Sequence, residues 1–179
     1  MTPAQADLAG ASSEFAHSFG IDTPRVEDGA ALWRIARDSE VLDLNSSYSY
    51  LLWCRDFATT SVVARDDGGD PVAFVTGYIR PERPKILVIW QVAVDAAHRG
   101  KGLAGTLLDE LTGRVARELG ITSIETTVTP DNTASDRMFT AYAARHDAIL
   151  DREVLFHGGM FPDEGHQPEV LYRIGPLSF

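Results

Sequence analysis

Arg99-Gly100-Lys101-Gly102-Leu103-Ala104 is the stretch whose residue types and spacing point most directly to chemistry. An apolar run rich in β-branched residues, Ile86 to Val94, precedes it and suits a buried strand. Leu103, Leu107, Leu108, Leu111, Val115 and Leu119 follow at three- and four-residue spacings, which predicts a helix. Strand, glycine turn and helix in that order make an anion site. N–H groups of the first helical turn have no intrahelical acceptor, the helix dipole favours negative charge there, and glycine lets the backbone approach a ligand closely. The chemistry predicted is the holding of a phosphate or diphosphate.

Spacing separates the classes that use this geometry. A Walker loop needs four residues between its first glycine and its Gly-Lys pair, and this string lacks them. Gly100, Gly102 and Gly105 satisfy G-x-G-x-x-G formally, with Glu125 as the acidic residue about twenty positions on, but that fingerprint closes the first strand of its unit. Too much chain precedes this one. The pattern R-x-x-G-x-A fits better, and with it the string resembles the acyl-CoA-binding loop of the GNAT N-acetyltransferases. The resemblance implies acetyl-CoA as cosubstrate, its diphosphate cradled by the backbone of Arg99, Gly100, Lys101, Gly102, Leu103 and Ala104. It also implies backbone contacts from Gln91, Val92 and Val94 to pantetheine, with Asn132 either touching pantetheine or capping its own helix. An ordinary glycine-rich turn is the competing reading.

The segments LDLNSSYSYLLWCRDF, TSVVA, VIWQVAV, ETTVTPDN, ASDRMF and GHQPEVLYRI are similar to one branch of that family. Members of the branch acetylate the γ-amino group of L-2,4-diaminobutyrate in ectoine biosynthesis, as homodimers. The likeness runs from about Arg25 to Ile174 and implies the same acceptor here. Such an amine has a pKa of about 10.4, and only its neutral form attacks a thioester, so reaching that form at pH 7 costs about 4–5 kcal/mol. A base should take the proton. Many relatives carry a glutamate for this on the central strand, but Val88 to Val94 reads VIWQVAV, without a carboxylate. Asp43 and Glu169 are the acidic residues in the segments special to the branch. Glu169 is expected to accept the proton, Asp43 to anchor an ammonium group, and His166 to orient the substrate or relay a proton. Trp90 offers an indole face to the ammonium, an attraction of about 0.5–2 kcal/mol. Asn45, Ser46 and Tyr48 could hydrogen-bond the α-amino and carboxylate groups. Where relatives carry a tyrosine that protonates the leaving thiolate, Phe139 stands, so Tyr142 one helical turn on is the candidate donor. Bland readings compete throughout: helix capping for Asp43, Asn45 and Ser46, core packing for Trp90, and solvent exposure for His166 and Glu169.

The elements that must position these groups follow from pattern. Residues 1–23, rich in Ala, Ser and Asp, read as a flexible leader with a short helix possible around Ser13 to Phe19, and 24–179 as one domain. Asp28 is expected to cap a first helix that buries Ala31, Leu32, Ile35 and Ala36. Tyr48 to Phe57 is a second helix; Thr59 to Arg65 and Val72 to Tyr78 are strands joined through Asp66-Asp67-Gly68-Gly69-Asp70. After the central strand and its helix, Gly120 gives a stop. Ile121 to Val128, Ala148 to Phe156 and Glu169 to Ile174 then read as strands, with a helix from Ala134 to Ala144 and a loop from Gly158 to Pro168. By resemblance this order is an α/β arrangement with a mixed, largely antiparallel sheet, helices on both faces, and a central strand splayed from its neighbour to admit the cosubstrate.

Composition narrows the rest. A formal charge of −10 argues against nucleic acid, whose phosphates need a basic face. No stretch approaches the roughly 20 apolar residues of a membrane span, and a secretory signal is not evident. One cysteine, Cys54, excludes an internal disulfide and a multi-cysteine metal cluster. A cytoplasmic enzyme without a metal is the expectation. An acetyltransferase of the same fold with another amine acceptor, such as a polyamine or an amino acid, and a non-catalytic acyl-CoA-binding module stay open beside it.

Overall fold

The computed structural model describes residues 19–162 and 164–179. The expected helix near Ser13 and most of the leader lie outside them. Seven strands form one mixed sheet in the order β1 (Gly20–Asp22), β2 (Val62–Arg65), β3 (Pro71–Ile79), β4 (Ile86–Val94), β5 (Ser123–Val128), β7 (Glu169–Gly175) and β6 (Ile149–Phe156). Four α-helices accompany them: α1 (Gly29–Ser39), α2 (Ser47–Asp56), α3 (Leu103–Leu119) and α4 (Thr133–Arg145). The α/β class matches the expectation, and so does the element order from α1 onward. By contacts the chain divides into two compact units, one running to Thr76 and including Gln91–Leu111, the other comprising Gly77–Trp90 and Thr112–Phe179.

In the first unit, α1 turns Leu32, Ile35 and Ala36 inward, and α2 buries Tyr50 and Cys54. These meet Val63, Phe74 and Ala93, so the far end of β4 packs on the same core as both helices. Each fully buried leucine or isoleucine contributes about 1.5–3 kcal/mol. Gly29 permits the closeness of the helices, because a Cβ there would lie 2.7 Å from Leu51 Cδ2. Burial, aided by the negative charge of Asp28, pushes the Cys54 thiol up to about 12.

Three expectations are corrected here. Gly20–Asp22, expected as part of the leader, is a strand that pairs antiparallel with β2, Gly20 opposite Arg65 and Asp22 opposite Val63. Ala58–Thr60 is a 3-10 turn, so β2 starts at Val62. Asp28 does not cap α1 through its side chain. Its carboxylate accepts both guanidinium nitrogens of Arg65, at 2.8 and 2.7 Å, and the Arg25 N–H at 2.7 Å. Burial alone would raise its pKa, but these partners outweigh it and hold the carboxyl below the usual range.

In the second unit, β5, β7 and β6 pair antiparallel, with Thr126 and Arg152 on either side of Tyr172. The other side of β5 pairs parallel with the start of β4. Glu125, buried on β5, takes hydrogen bonds from Arg80 at 2.8 Å and Arg173 at 3.4 Å. β6 forms the edge, and Ile149, Val154, Leu155 and Phe156 on it are between 39% and 63% exposed. Helix α3 buries Leu107, Leu108, Leu111 and Val115 completely and stops at Gly120, whose φ of 69° suits glycine and whose N–H reaches the Ala116 carbonyl.

Candidate active site

The glycine loop is built at the end of β4. Asp95 ends the strand, accepts the Ala97 N–H at 3.3 Å and pairs with Arg34 of α1 at 2.8 Å; that guanidinium holds its carboxyl below the usual range. Arg99 then folds back, its Nε donating to the Val94 carbonyl at 3.0 Å and a terminal nitrogen to the Asp38 carbonyl at 3.4 Å. Its side chain thus braces the loop against strand and helix. Gly100 and Gly102 have φ of 76° and 74°, a conformation that costs other residues about 1–2 kcal/mol. A Cβ built on either would meet nothing within 4 Å, so the loop is open on that side. The Thr106 N–H reaches the Gly102 carbonyl at 3.1 Å, which leaves the amides of Leu103, Ala104 and Gly105 ahead of the first intrahelical bond of α3. Lys101 is exposed on the loop. A diphosphate fits this donor set.

Along β4 the side chains alternate. Trp90 is 49% exposed, which sets aside core packing for it, whereas Gln91 is 6% exposed. The Gln91 carboxamide donates through Nε2 to the Asp43 carbonyl at 3.0 Å and accepts the Tyr50 hydroxyl at 3.0 Å. Burial raises the Tyr50 pKa, so the hydroxyl keeps its proton. The irregular segment carrying Asp43, Asn45 and Ser46 is therefore tied to the central strand. Ser46 occupies the N-cap position of α2 without a capping side-chain bond; its hydroxyl lies 3.1 Å from that of Ser49. Asp43, three residues earlier and exposed, does not cap α2, and Tyr48 is 65% exposed. Sequence reasoning gave Gln91 a backbone role only. A polar side chain inside the apolar VIWQVAV run was the signal for a second one.

The parallel ladder of β4 with β5 pairs Ile86 with Ser123, Leu87 with Ile124 and Val88 with Glu125. β4 continues to Val94 and β5 to Val128 beyond the last of these pairs.

The second unit supplies the groups near the end of the chain. Glu169 opens β7 opposite Phe156, half-buried. His166 stacks on Phe161 at 3.7 Å and 9°, so it is not a freely solvated loop residue. Its Nδ1 lies 2.6 Å from the Gln167 carbonyl; a carbonyl only accepts, so Nδ1 is the donor there, and in a neutral ring Nε2 is the acceptor. A Cβ on Gly158 would collide with the His166 carbonyl, which makes glycine there a condition of this loop shape. A ring nitrogen of His166 and a carboxylate oxygen of Glu169 lie within 4.8 Å of each other. Asn132 caps α4, accepting the Ser135 N–H at 3.1 Å. Tyr142 is corrected: it is 0% exposed, its hydroxyl donates to Thr112 at 2.9 Å, and its ring packs on His146 at 4.4 Å. A proton donor to a leaving thiolate must reach a cleft, and a fully enclosed side chain does not.

The acetyltransferase (GNAT) family model matches residues 29–143. A Streptomyces anulatus protein named L-2,4-diaminobutyric acid acetyltransferase is 70% identical over 178 residues, 99% of each chain. Its namesake from Streptomyces avermitilis (strain ATCC 31267) is 65% identical over 178 residues, again 99% of each chain. Among solved structures, the diaminobutyrate acetyltransferase EctA from Paenibacillus lautus, in complex with its substrate L-2,4-diaminobutyric acid and coenzyme A, superimposes with a TM-score of 0.84 at 38% identity. That match covers 90% of this chain and 96% of the other.

Proposed function

The chain belongs to the acetyltransferase (GNAT) family, and on that premise we infer that it transfers the acetyl group of acetyl-CoA to the γ-amino group of L-2,4-diaminobutyrate, giving N4-acetyl-L-2,4-diaminobutyrate for ectoine biosynthesis. The observation that carries the cosubstrate is the pair of left-handed glycines, open on one side, at the start of a 17-residue helix. The relative solved with diaminobutyrate and coenzyme A supports the acceptor.

Acetyl-CoA supplies an acetyl group already activated as a thioester. The backbone of residues 99 to 104 holds its diphosphate, and backbone groups of Gln91, Val92 and Val94 hold pantetheine. Asn132 serves its helix first, with its amide nitrogen left for pantetheine. Asp43 anchors an ammonium group of the acceptor, Trp90 offers it a ring face, and Asn45, Ser46 and Tyr48 grip the α-amino and carboxylate end. Holding that end is what singles out one amine of the two. Glu169 takes the proton the γ-amine gives up, directly or through His166 Nε2. The new N–C bond then forms at the carbonyl carbon, the C–S bond breaks, the nitrogen gives its second proton to water, and the sulfur leaves with the electron pair and takes a proton from water. No step in this sequence calls for a metal ion.

No helix among the described residues is long and apolar enough to cross a membrane. We place the enzyme in the cytoplasm as a homodimer; the exposed apolar row on β6 supports the second part of that reading. Acetyl transfer measured in parallel to diaminobutyrate, lysine, ornithine and spermidine tests the acceptor. Diaminobutyrate should have the highest kcat/KM. Equal values across the four amines would overturn the assignment.

A further inference from the structure

We propose that Gln91 is a positioning residue for the acceptor: its side chain sets the height of the Asp43–Ser46 segment against the central strand and so the affinity for the amine. The proposal rests on the reading above, in which that segment grips the diamino acid. Gln91 is 6% exposed, so both ends of its carboxamide need partners, and both have them. Nε2 donates to the Asp43 carbonyl at 3.0 Å, and Oε1 accepts the Tyr50 hydroxyl at 3.0 Å. The arrangement has one sense only. A flipped amide would set its oxygen against the Asp43 carbonyl, two acceptors face to face.

Asn45 lies beside the same tyrosine hydroxyl, where it works against the upward push of burial. One carboxamide on β4 therefore bears on two of the residues assigned to the acceptor, through the Asp43 carbonyl and through the Tyr50 phenol beside Asn45. Tyr50 is itself fixed, 1% exposed and edge-on to Phe74 at 6.4 Å. The segment from Glu40 to Ser46 has no helix or strand of its own to hold its shape. Next to Gln91, Trp90 projects from the opposite side of the strand into a half-exposed setting. The backbone at Gln91 belongs to the acyl-CoA side of the reaction and its side chain to the acceptor side. A shift of that strand is thus passed to the amine-binding segment through two hydrogen bonds.

Gln91→Glu tests this with a side chain of the same shape. It keeps an acceptor for Tyr50 but replaces the donor to Asp43 with a second acceptor. KM for diaminobutyrate should rise about tenfold, the cost of one broken buried hydrogen bond, while Kd for acetyl-CoA by titration calorimetry stays within about twofold. Tyr50→Phe, which removes the other bond, should raise the same KM and spare acetyl-CoA binding. A general loss of fold would instead weaken both ligands together and lower the melting temperature of both variants. Unchanged KM in Gln91→Glu, or parallel losses for both ligands, overturns the proposal. A wild-type enzyme that acetylates spermidine as well as diaminobutyrate would overturn the underlying reading separately.

Discussion

Glu169 and His166 illustrate what a residue can be asked to do alone. A carboxylate oxygen and a ring nitrogen lie within 4.8 Å, and the ring's Nδ1 is engaged by the Gln167 carbonyl. The proposed route for the amine proton runs through this pair. Glu169→Gln keeps the size and removes the charge. Turnover should fall about a hundredfold in steady-state assays while Kd for acetyl-CoA stays unchanged; intact turnover would assign the proton to another group. These residues were candidates because they stand in a segment that resembles one branch of the family, where an acid and an imidazole three positions apart can share a proton. Tyr142 was not legible as a core residue. Helical spacing tells which residues share a face but not what covers that face, and Thr112, thirty positions away in sequence, is what receives its hydroxyl. Gln91 was half legible for the same reason: its polarity showed, but its partners at Asp43 and Tyr50 are separated from it by 48 and 41 positions.

At the scale of elements, the turn between β4 and α3 was readable almost residue by residue, because two glycines two apart before an amphipathic run have few other uses. Gly102→Glu should abolish acetyl-CoA binding in calorimetry by setting a carboxylate against the diphosphate, and retained affinity would mean the diphosphate sits elsewhere. Strand β1 escaped notice because three residues are too few to show alternation; only the free side of β2 gives Gly20–Asp22 a place. Asp28 looked like a cap because aspartate before an apolar face usually is one, and only the fold reveals Arg65 across from it, the side chains 8% and 12% exposed. Arg65→Met strands that carboxylate and should cost about 3–5 kcal/mol in denaturant unfolding at pH 7. The pairing lowers the folded pKa of Asp28, so its stabilisation is present above the unfolded value of about 3.9 and is lost as pH falls through the lower, folded one. The penalty of Arg65→Met should therefore shrink when unfolding is repeated below about pH 4. A penalty that is the same at both pH values would show that the ion pair contributes little.

For the whole molecule, the resemblance of this element order to one family's arrangement implied the mixed α/β sheet, and the pairing of strands on both sides of β4 and β5 agrees with it. The edge of that sheet was beyond reach of pattern: nothing in ILDREVLF says that β6 will pair on one side only. Val154 pairs with Val170 and Phe156 with Glu169 around a bulge, so these two face opposite sides of the sheet, and their exposure means both faces are bare at that end of the strand. Sedimentation of the wild type should show a dimer, and Leu155→Glu should shift it toward monomer at micromolar concentration; a monomeric wild type would remove that part of the reading. Cys54 carries a different consequence. A thiol pushed up to about 12 on the buried face of α2, in the core that α2 shares with α1, is almost never a thiolate at neutral pH and is shut away from reagents as well. Alkylation by a maleimide should then proceed only during the moments when those two helices part, so the chain carries its own stopwatch for how often that unit opens.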